Sequence, residues 1–266
     1  MAENKKIIYR VARSRREIEK AFSLVYKEYA SRGYIPKHYK SNLRISLYNA
    51  VPSTITFVAV EGKKVVATVT LIPDSPLGIP MDKIYKDEVD GLRKRGFKVA
   101  EVSQLSIDSK LFPKSWFSMF NFGKLIFVFK LFKAVLDYAL YVAKLDELCI
   151  AVNPAHQYLY KFLFFEDLGK LKYYGSVNKA PAIAKHLNIN IDMLGSKVKR
   201  QRIGLYKIFL GGQTDLKFFK NKFTFKPLDL KYFFIQKSDC FQKASRQQLA
   251  YIKSCYPLKN YGNSFY

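Results

Sequence analysis

The feature of this sequence that most limits its fold is the long apolar run of residues 120–145. Charged residues interrupt the run before about 18 consecutive apolar positions accumulate, which is not the pattern of a membrane-spanning helix. At about 100° per residue, Lys130, Lys133 and Asp137 fall on one narrow stripe of a helix. The run therefore predicts a mostly buried helix with one solvent-facing edge.

Strand-like segments stand on both sides of this helix, at Val99–Ile107 and Leu148–Val152. Two strands joined by a helix favour a right-handed parallel crossover. Earlier in the chain, Thr56–Val60 and Val65–Ile72 are joined by the turn Glu61-Gly-Lys-Lys64, which predicts a hairpin. A hairpin followed by helix-connected strands predicts the α/β class, as a mixed sheet with helices on both faces.

The same periodicities place the remaining elements of the first 196 residues. Ser14 is a candidate N-cap, with Glu17 three residues further on, for a helix that ends before Gly33. The other predicted elements are a strand at 7–12, a helix at 81–95, a helix at 154–167 and a strand at 171–175.

The pattern weakens beyond residue 197, where the chain becomes strongly basic. Residues 197–266 hold 15 Lys and Arg against 3 Asp and Glu. We expect two units, a main domain at 1–196 and a basic, aromatic-rich extension at 197–266 that packs on it. Within the extension, 206–210 and 218–225 are predicted as short strands and 245–255 as a short helix.

The net charge of the chain, +25, indicates an anionic partner. Nucleic acid, acidic phospholipid and an acidic carrier protein all satisfy this requirement. Interleaved Lys, Phe and Tyr at 206–237 leave a nucleic-acid-binding protein open as an alternative, although no recognised nucleic-acid motif accompanies them. Peripheral contact of the basic C-terminus with the inner face of a membrane also stays open.

Cysteine usage and the N-terminus bear on the compartment and on metal binding. Cys149, Cys240 and Cys255 are widely spaced and lack a metal-ligand spacing. The first residues contain no apolar core of a signal peptide. We therefore expect a cytoplasmic protein with neither a metal site nor a permanently bound cofactor.

Four segments of the chain form a pattern by their order and spacing. They are Tyr29–Ile35, Leu71–Met81, Ala100–Asp108 and Asn153–His156 with Tyr160, and a weaker fifth is Val177–Ala182. Together they resemble the N-acyl amino acid synthases, a GNAT-related group similar to the acyl-homoserine-lactone synthases, and the resemblance covers about residues 8–194.

This resemblance implies a GNAT-like fold and an acyltransferase activity. The family moves a long-chain acyl group from acyl carrier protein to the amine of an amino acid, which gives an N-acyl amino acid. The phosphopantetheine arm of the carrier would lie in a cleft where two central parallel strands separate, here 99–107 and 148–152. The donor substrate would then be an acyl-phosphopantetheine, with acyl carrier protein and the amino acid acceptor as partners.

The segment after the first cleft strand favours a carrier protein over acetyl-CoA. GNAT acetyltransferases place a glycine-rich loop there, whose backbone N–H groups bind pyrophosphate. Residues 109–117 read Ser-Lys-Leu-Phe-Pro-Lys-Ser-Trp-Phe and lack that pattern. A carrier protein presents one phosphate outside the cleft and needs no such loop. An acetyl-CoA-dependent GNAT acetyltransferase remains the alternative.

Amide formation from a thioester requires a neutral amine and a protonated leaving thiolate. Glu101 is the candidate base, and Ser103 is the candidate for positioning water or substrate beside it. Strand alternation predicts Glu101, Ser103 and Leu105 on one face, with Val102 and Gln104 on the other. A purely structural ion pair with Lys or Arg is the alternative role of Glu101.

Two residues on the helix after the second cleft strand are further catalytic candidates. Tyr160 matches the tyrosine that protonates the leaving thiolate in many GNAT proteins, although Phe164 replaces the usual glycine of that motif. His156 lies one turn before Tyr160 and shares its face. Ordinary packing is the alternative for Tyr160, and His156 is expected only to lie near the site.

Substrate binding requires a cation for the acceptor carboxylate and an apolar surface for the acyl chain. Arg32 and Arg44 lie in the region that resembles the amino-acid side of the family and are the candidate cations. Phe122, Ile126 and Phe129 on the buried helix are the candidate acyl-chain lining. An ordinary core role is the default for these three.

Overall fold

A computed structural model defines the architecture. It describes residues 6–35, 40–112, 122–174, 180–190, 192, 194–195, 212 and 214–257. The predicted strand at 206–210 lies outside these residues.

One sheet of eight strands forms the centre of the molecule, in the order β1-β2-β3-β4-β5-β8-β6, with β7 paired to β8. All neighbouring strands are antiparallel except β4 and β5, which are parallel. The strands are β1 (Ile7–Val11), β2 (Ile55–Glu61), β3 (Lys64–Pro73), β4 (Val99–Ile107), β5 (Glu147–Val152), β6 (Glu166–Asp167), β7 (Lys172–Tyr174) and β8 (Ala180–Asn188).

The α-helices of the described residues connect or follow these strands. They are α1 (Arg15–Ser31), α2 (Asp82–Lys94), α3 (Phe122–Asp137), α4 (Gln157–Phe162), α5 (Pro227–Lys231), α6 (Cys240–Lys243) and α7 (Arg246–Ser254). A π-helical turn, Tyr138–Val142, extends α3. The helix predicted at 120–145 is therefore present but ends in a wider turn.

Helices cover both faces of the sheet, as the sequence predicts. On β2, Phe57 packs in the cluster that contains α3, whereas its neighbour Val58 packs in the cluster that contains α1. Helix α2 covers Val99 and Cys149 on the α1 side. The sheet thus has α3 and α4 on one face and α1 and α2 on the other.

Three local predictions need correction. The helix predicted at 154–167 is only a 3-10 turn followed by α4, because positive φ at Phe164 (68°) turns the chain towards β6. β8 was not predicted, although its residues Ile183–Asn188 pair with the whole of β5. Residues 218–225 do not form a strand: a single backbone bond, from Phe223 N–H to Ala12 O, ties this segment to the sheet region.

The described C-terminal residues pack against the α1 face. Phe233 lies edge-on to Phe22 of α1, with ring centroids 5.7 Å apart. Tyr256 donates a hydrogen bond from its hydroxyl to Ala50 O at 2.6 Å. α7 begins at the capping box of Ser245 and Gln248, which places it as the sequence predicts. No helix among the described residues is long and apolar enough to cross a membrane.

Candidate active site in the cleft between β4 and β5

The two parallel strands separate after a short paired stretch. Pairing of β4 with β5 covers only Val99–Glu101 against Glu147–Cys149, although both strands continue further. Beyond Glu101 the gap opens into a cleft of about 340 Å³, lined by β4, β5, α1, α2, α3, α4 and β8. The separation that the family resemblance implies is therefore present, and Glu101 lies where it begins.

A β-bulge shapes the β4 side of this cleft. β3 pairs Thr70 with Ser103 and Thr68 with Ser106, so β4 carries one extra residue in this stretch. Gln104 has a φ of 53°, in the left-handed region. The predicted alternation therefore fails beyond Ser103, because the bulge resets which side chains share a face.

Hydrogen bonds from the Gln104 side chain stabilise the bulge. Its carboxamide oxygen accepts bonds from Asn49 Nδ2 at 3.1 Å and from Thr70 Oγ1 at 3.0 Å. Its amide nitrogen donates to Asn49 Oδ1 at 3.3 Å. Gln104 thus connects β4 to β3 and to the 3-10 turn Leu47–Ala50, an arrangement that a strained backbone at this position requires.

Glu101 is buried at the closed end of the cleft, with 4% of its surface exposed. Its Oε2 accepts a hydrogen bond from Met81 N–H at 2.6 Å. Burial raises the pKa of the Glu101 carboxyl to about 8, against the opposing effects of the Met81 N–H and the Ser103 hydroxyl, which donate to the carboxylate. A carboxyl with a pKa near neutrality is suited to accept and release protons during turnover.

The loop that presents Met81 is held by one arginine. Arg93 contacts Asp74 through Nε at 2.7 Å and Asp82 through Nη2 at 2.7 Å. Asp82 Oδ2 also accepts a bond from Ile79 N–H at 2.9 Å. These bonds span the loop between β3 and α2, so the position of the Met81 N–H is fixed independently of Glu101.

Three tyrosines converge on the middle of the cleft. Tyr160 is buried and Tyr29 is half-buried, and Tyr29 packs edge-on against Tyr34 with ring centroids 5.8 Å apart. Burial raises the pKa of Tyr160 and the pKa of Tyr29, and their hydroxyls are close enough to influence each other electrostatically. Both phenols therefore stay protonated at neutral pH and can donate hydrogen bonds.

His156 and the predicted cations also line the cleft. His156 is exposed at its edge, one turn before Tyr160. Arg32 lies 3.3 Å from Glu28 Oε2, and both Arg32 and Arg44 lower the pKa of Tyr29 by their charge. Lys83, which the sequence did not single out, lines the same cleft and lowers the pKa of Glu101.

The predicted acyl-chain lining is placed differently. Phe129 is 1% exposed and stacks on Phe162, with ring centroids 5.7 Å apart, so the default core role is correct for it. Among the described residues that line the cleft, α3 contributes Val128, and Phe129 and Ile126 are not among them. The side chain of Phe122 lies outside the described part of the chain. The helix was identified correctly, but its cleft-facing side was not.

The cleft residues that the sequence missed had a usable signal. Tyr29 and Tyr34 belong to one segment of the family resemblance, and Lys83 lies two residues after another. Residues within or next to a recognised segment were therefore good candidates for the cleft. Asn49 had no such signal, because its role depends on the bulge of β4.

Comparisons with known proteins agree with this geometry. Residues 20–188 match the family model of the N-acyl amino acid synthase FeeM. The solved structure of FeeM, an N-acyl amino acid synthase from uncultured soil microbes, is 33% identical and superposes with a TM-score of 0.59, covering 72% of this chain and 94% of FeeM. A comparison with curated proteins gave no match.

A more distant structure supports the fold. The acyl-homoserine-lactone synthase LasI is 14% identical and superposes with a TM-score of 0.55, covering 80% of this chain and 98% of LasI. That likeness concerns the architecture alone. The family match spans more than half of the chain and includes the buried carboxylate, the bulged strand and the cleft. The chain therefore belongs to the FeeM family of N-acyl amino acid synthases and is an N-acyltransferase.

Proposed function

We propose that this N-acyltransferase moves a long-chain acyl group from the phosphopantetheine of acyl carrier protein to the amine of an amino acid. Glu101 is the general base of this reaction. The observation that carries the proposal is the position of Glu101, buried where β4 and β5 separate and held at 2.6 Å by the Met81 N–H. The Glu101 carboxylate lines the cleft, where the amine of an acceptor can reach it.

The protons of the reaction balance through Glu101. An amino acid enters as an ammonium, and Glu101 removes one proton and passes it to water. The neutral amine attacks the thioester carbonyl, a C–N bond forms and the C–S bond breaks. Of the two protons left on nitrogen, one stays on the amide and the other replaces the hydroxyl proton that Tyr160 gives to the sulfur. Ser103 orients the Glu101 carboxylate by its hydrogen bond, and Tyr160 donates to the leaving sulfur.

The segment after β4 and the lining of the cleft support acyl carrier protein as the donor. The segment after β4 lacks the glycines that a pyrophosphate-binding loop uses. A carrier protein with acidic helices suits a chain with a net charge of +25. Val128 and Leu159 give the α3 and α4 side of the cleft an apolar surface for the acyl chain.

Mass spectrometry of lipid extracts tests the proposal. Cells that express the wild-type chain should accumulate an N-acyl amino acid that cells expressing Glu101→Gln lack. Glu147→Gln is a matched control, because Glu147 is also a buried carboxylate, on the neighbouring strand, but bonds His186 and Asn188 outside the cleft. Wild-type extracts that contain only N-acetylated products would instead support an acetyl-CoA-dependent enzyme.

A further inference from the structure

Lys83 occupies a distinctive place in the cleft. It lies in the first turn of α2, two residues after Met81, whose N–H contacts Glu101 at 2.6 Å. Its side chain is exposed and lines the cleft together with Glu101. Within the described part of the chain, no hydrogen bond or ion pair engages the Lys83 ammonium. A cation that is unpaired among the described residues therefore lines the same cleft as the buried carboxylate.

Three acidic residues of this region are paired with Arg93 instead of with Lys83. Arg93 lies 2.7 Å from Asp74, 2.7 Å from Asp82 and 2.7 Å from Asp90. Asp82 directly precedes Lys83, yet both its carboxylate oxygens accept bonds from Arg93. The carboxylates of Asp74, Asp82 and Asp90 are thus directed to Arg93 and not to Lys83.

The other cleft cations are placed differently. Arg32 is paired with Glu28 at 3.3 Å, and Glu28 also accepts a bond from Ser109 N–H at 3.1 Å. The charges of Arg32 and Arg44 both lower the pKa of Tyr29. Lys83 instead approaches the site from α2, on the side of the cleft where Met81 contacts Glu101.

A free α-amino acid has opposite charges on two groups that share one carbon. Its ammonium is the group that Glu101 deprotonates, so its carboxylate must lie close to that position. A lysine carries a point charge on a flexible side chain, so its ammonium can reach a carboxylate that is bound next to the reacting amine. We propose that Lys83 binds the acceptor's carboxylate and thereby selects free α-amino acids over amines that lack a carboxylate. This inference rests on the proposed function.

Kinetics with the purified full chain and palmitoyl carrier protein test this role. The twenty standard amino acids are supplied singly, and the one acylated fastest is then compared with its own α-carboxamide. Lys83→Met should lower kcat/KM for the amino acid about 10- to 100-fold, because it raises the KM of the amino acid. The same substitution should leave kcat/KM for the α-carboxamide and the KM of the donor unchanged. Lys83→Arg should restore most of the loss.

Lys86→Met is the matched control, because Lys86 lies one turn further along α2, is exposed and pairs with Asp90. Lys86→Met should leave kcat/KM unchanged for both the amino acid and its α-carboxamide. Equal losses for the amino acid and its α-carboxamide would overturn the inference and assign Lys83 to the electrostatics of Glu101. Unchanged kinetics in Lys83→Met would also overturn it. If the wild-type chain acylates none of the amino acids, the proposed function itself fails, which is a separate result.

Discussion

The two walls of the cleft differ in chemistry and in the contacts that form them. The wall from β4, α1, α2 and the loop before Leu47 carries the charged groups Glu101, Lys83 and Arg44, whereas the wall from α3 and α4 contributes Val128 and Leu159 next to the phenol of Tyr160. The first wall is suited to proton transfer and to a zwitterion, and the second to an acyl chain. The difference indicates that acceptor chemistry and donor chain length are set by different elements and should respond to mutation separately.

The largest effect is expected on the polar wall, at Glu101. Glu101→Gln should lower kcat by about 10²- to 10⁴-fold, because the carboxamide cannot accept the ammonium proton. Burial raises the pKa of the Glu101 carboxyl to about 8, so wild-type kcat/KM should rise with pH up to about pH 8 and then level off. A pH–rate profile measures this limb, which should be absent from the residual activity of Glu101→Gln. A limb that persists unchanged in the variant would assign it to another group.

The stability of the same variant serves as its control. The folded chain keeps the Glu101 proton up to about pH 8, whereas the unfolded chain releases it near pH 4.3. Stability that depends on this group is therefore complete below the unfolded pKa and decreases as the pH rises through the folded pKa. Glu101→Gln should consequently melt at a temperature no lower than that of the wild type at pH 8. A much lower melting temperature would mean that the lost activity reflects unfolding.

A substitution in the apolar wall should change the selectivity for the length of the acyl chain. Val128→Phe narrows the cleft from the α3 side and should lower kcat/KM for palmitoyl carrier protein about tenfold relative to the butyryl donor, with an overpacking cost of about 1–3 kcal/mol. Steady-state kinetics with both donors give this ratio. The KM of the amino acid should stay unchanged.

Phe129→Ala is the contrasting substitution, because Phe129 packs in the core against Phe162. It should reduce the free energy of unfolding by about 3–5 kcal/mol, as measured by chemical denaturation, without changing the palmitoyl-to-butyryl ratio. A change of that ratio in Phe129→Ala, or none in Val128→Phe, would contradict the assignment of the cleft-facing side of α3.

Some features of the molecule could be predicted from the sequence and others could not. Local signals were sufficient where neighbours in sequence determine the structure: Ser14 caps α1 by accepting a bond from Glu17 N–H at 3.3 Å. The position of Glu101 followed from the family resemblance. The side chain of Glu17, however, turns back to Arg10 rather than completing a capping box, because a tertiary partner is available.

The missed features depend on contacts distant in sequence. The left-handed backbone of Gln104 is stabilised by Asn49, 55 positions earlier, and no local pattern reports such a bond. β8 depends on pairing with β5. The isolation of Lys83 depends on Arg93 engaging Asp82. These contacts position the candidate site, so the residues that line the cleft were easier to predict than the contacts that hold them in place.

The smallest effect is expected at Tyr160, where the two walls meet. Tyr160 packs edge-on against Phe132 and Phe165, so Tyr160→Phe keeps the ring contacts and removes only the hydroxyl. A thiol has an ordinary pKa of about 8.5, which makes the thiolate a competent leaving group that needs little protonation. We therefore expect kcat to fall less than about tenfold, with the KM of both substrates unchanged. Single-turnover kinetics with the acyl carrier protein donor measure the rate of acyl transfer. A loss of rate comparable to that in Glu101→Gln would instead mean that protonation of the sulfur limits the rate.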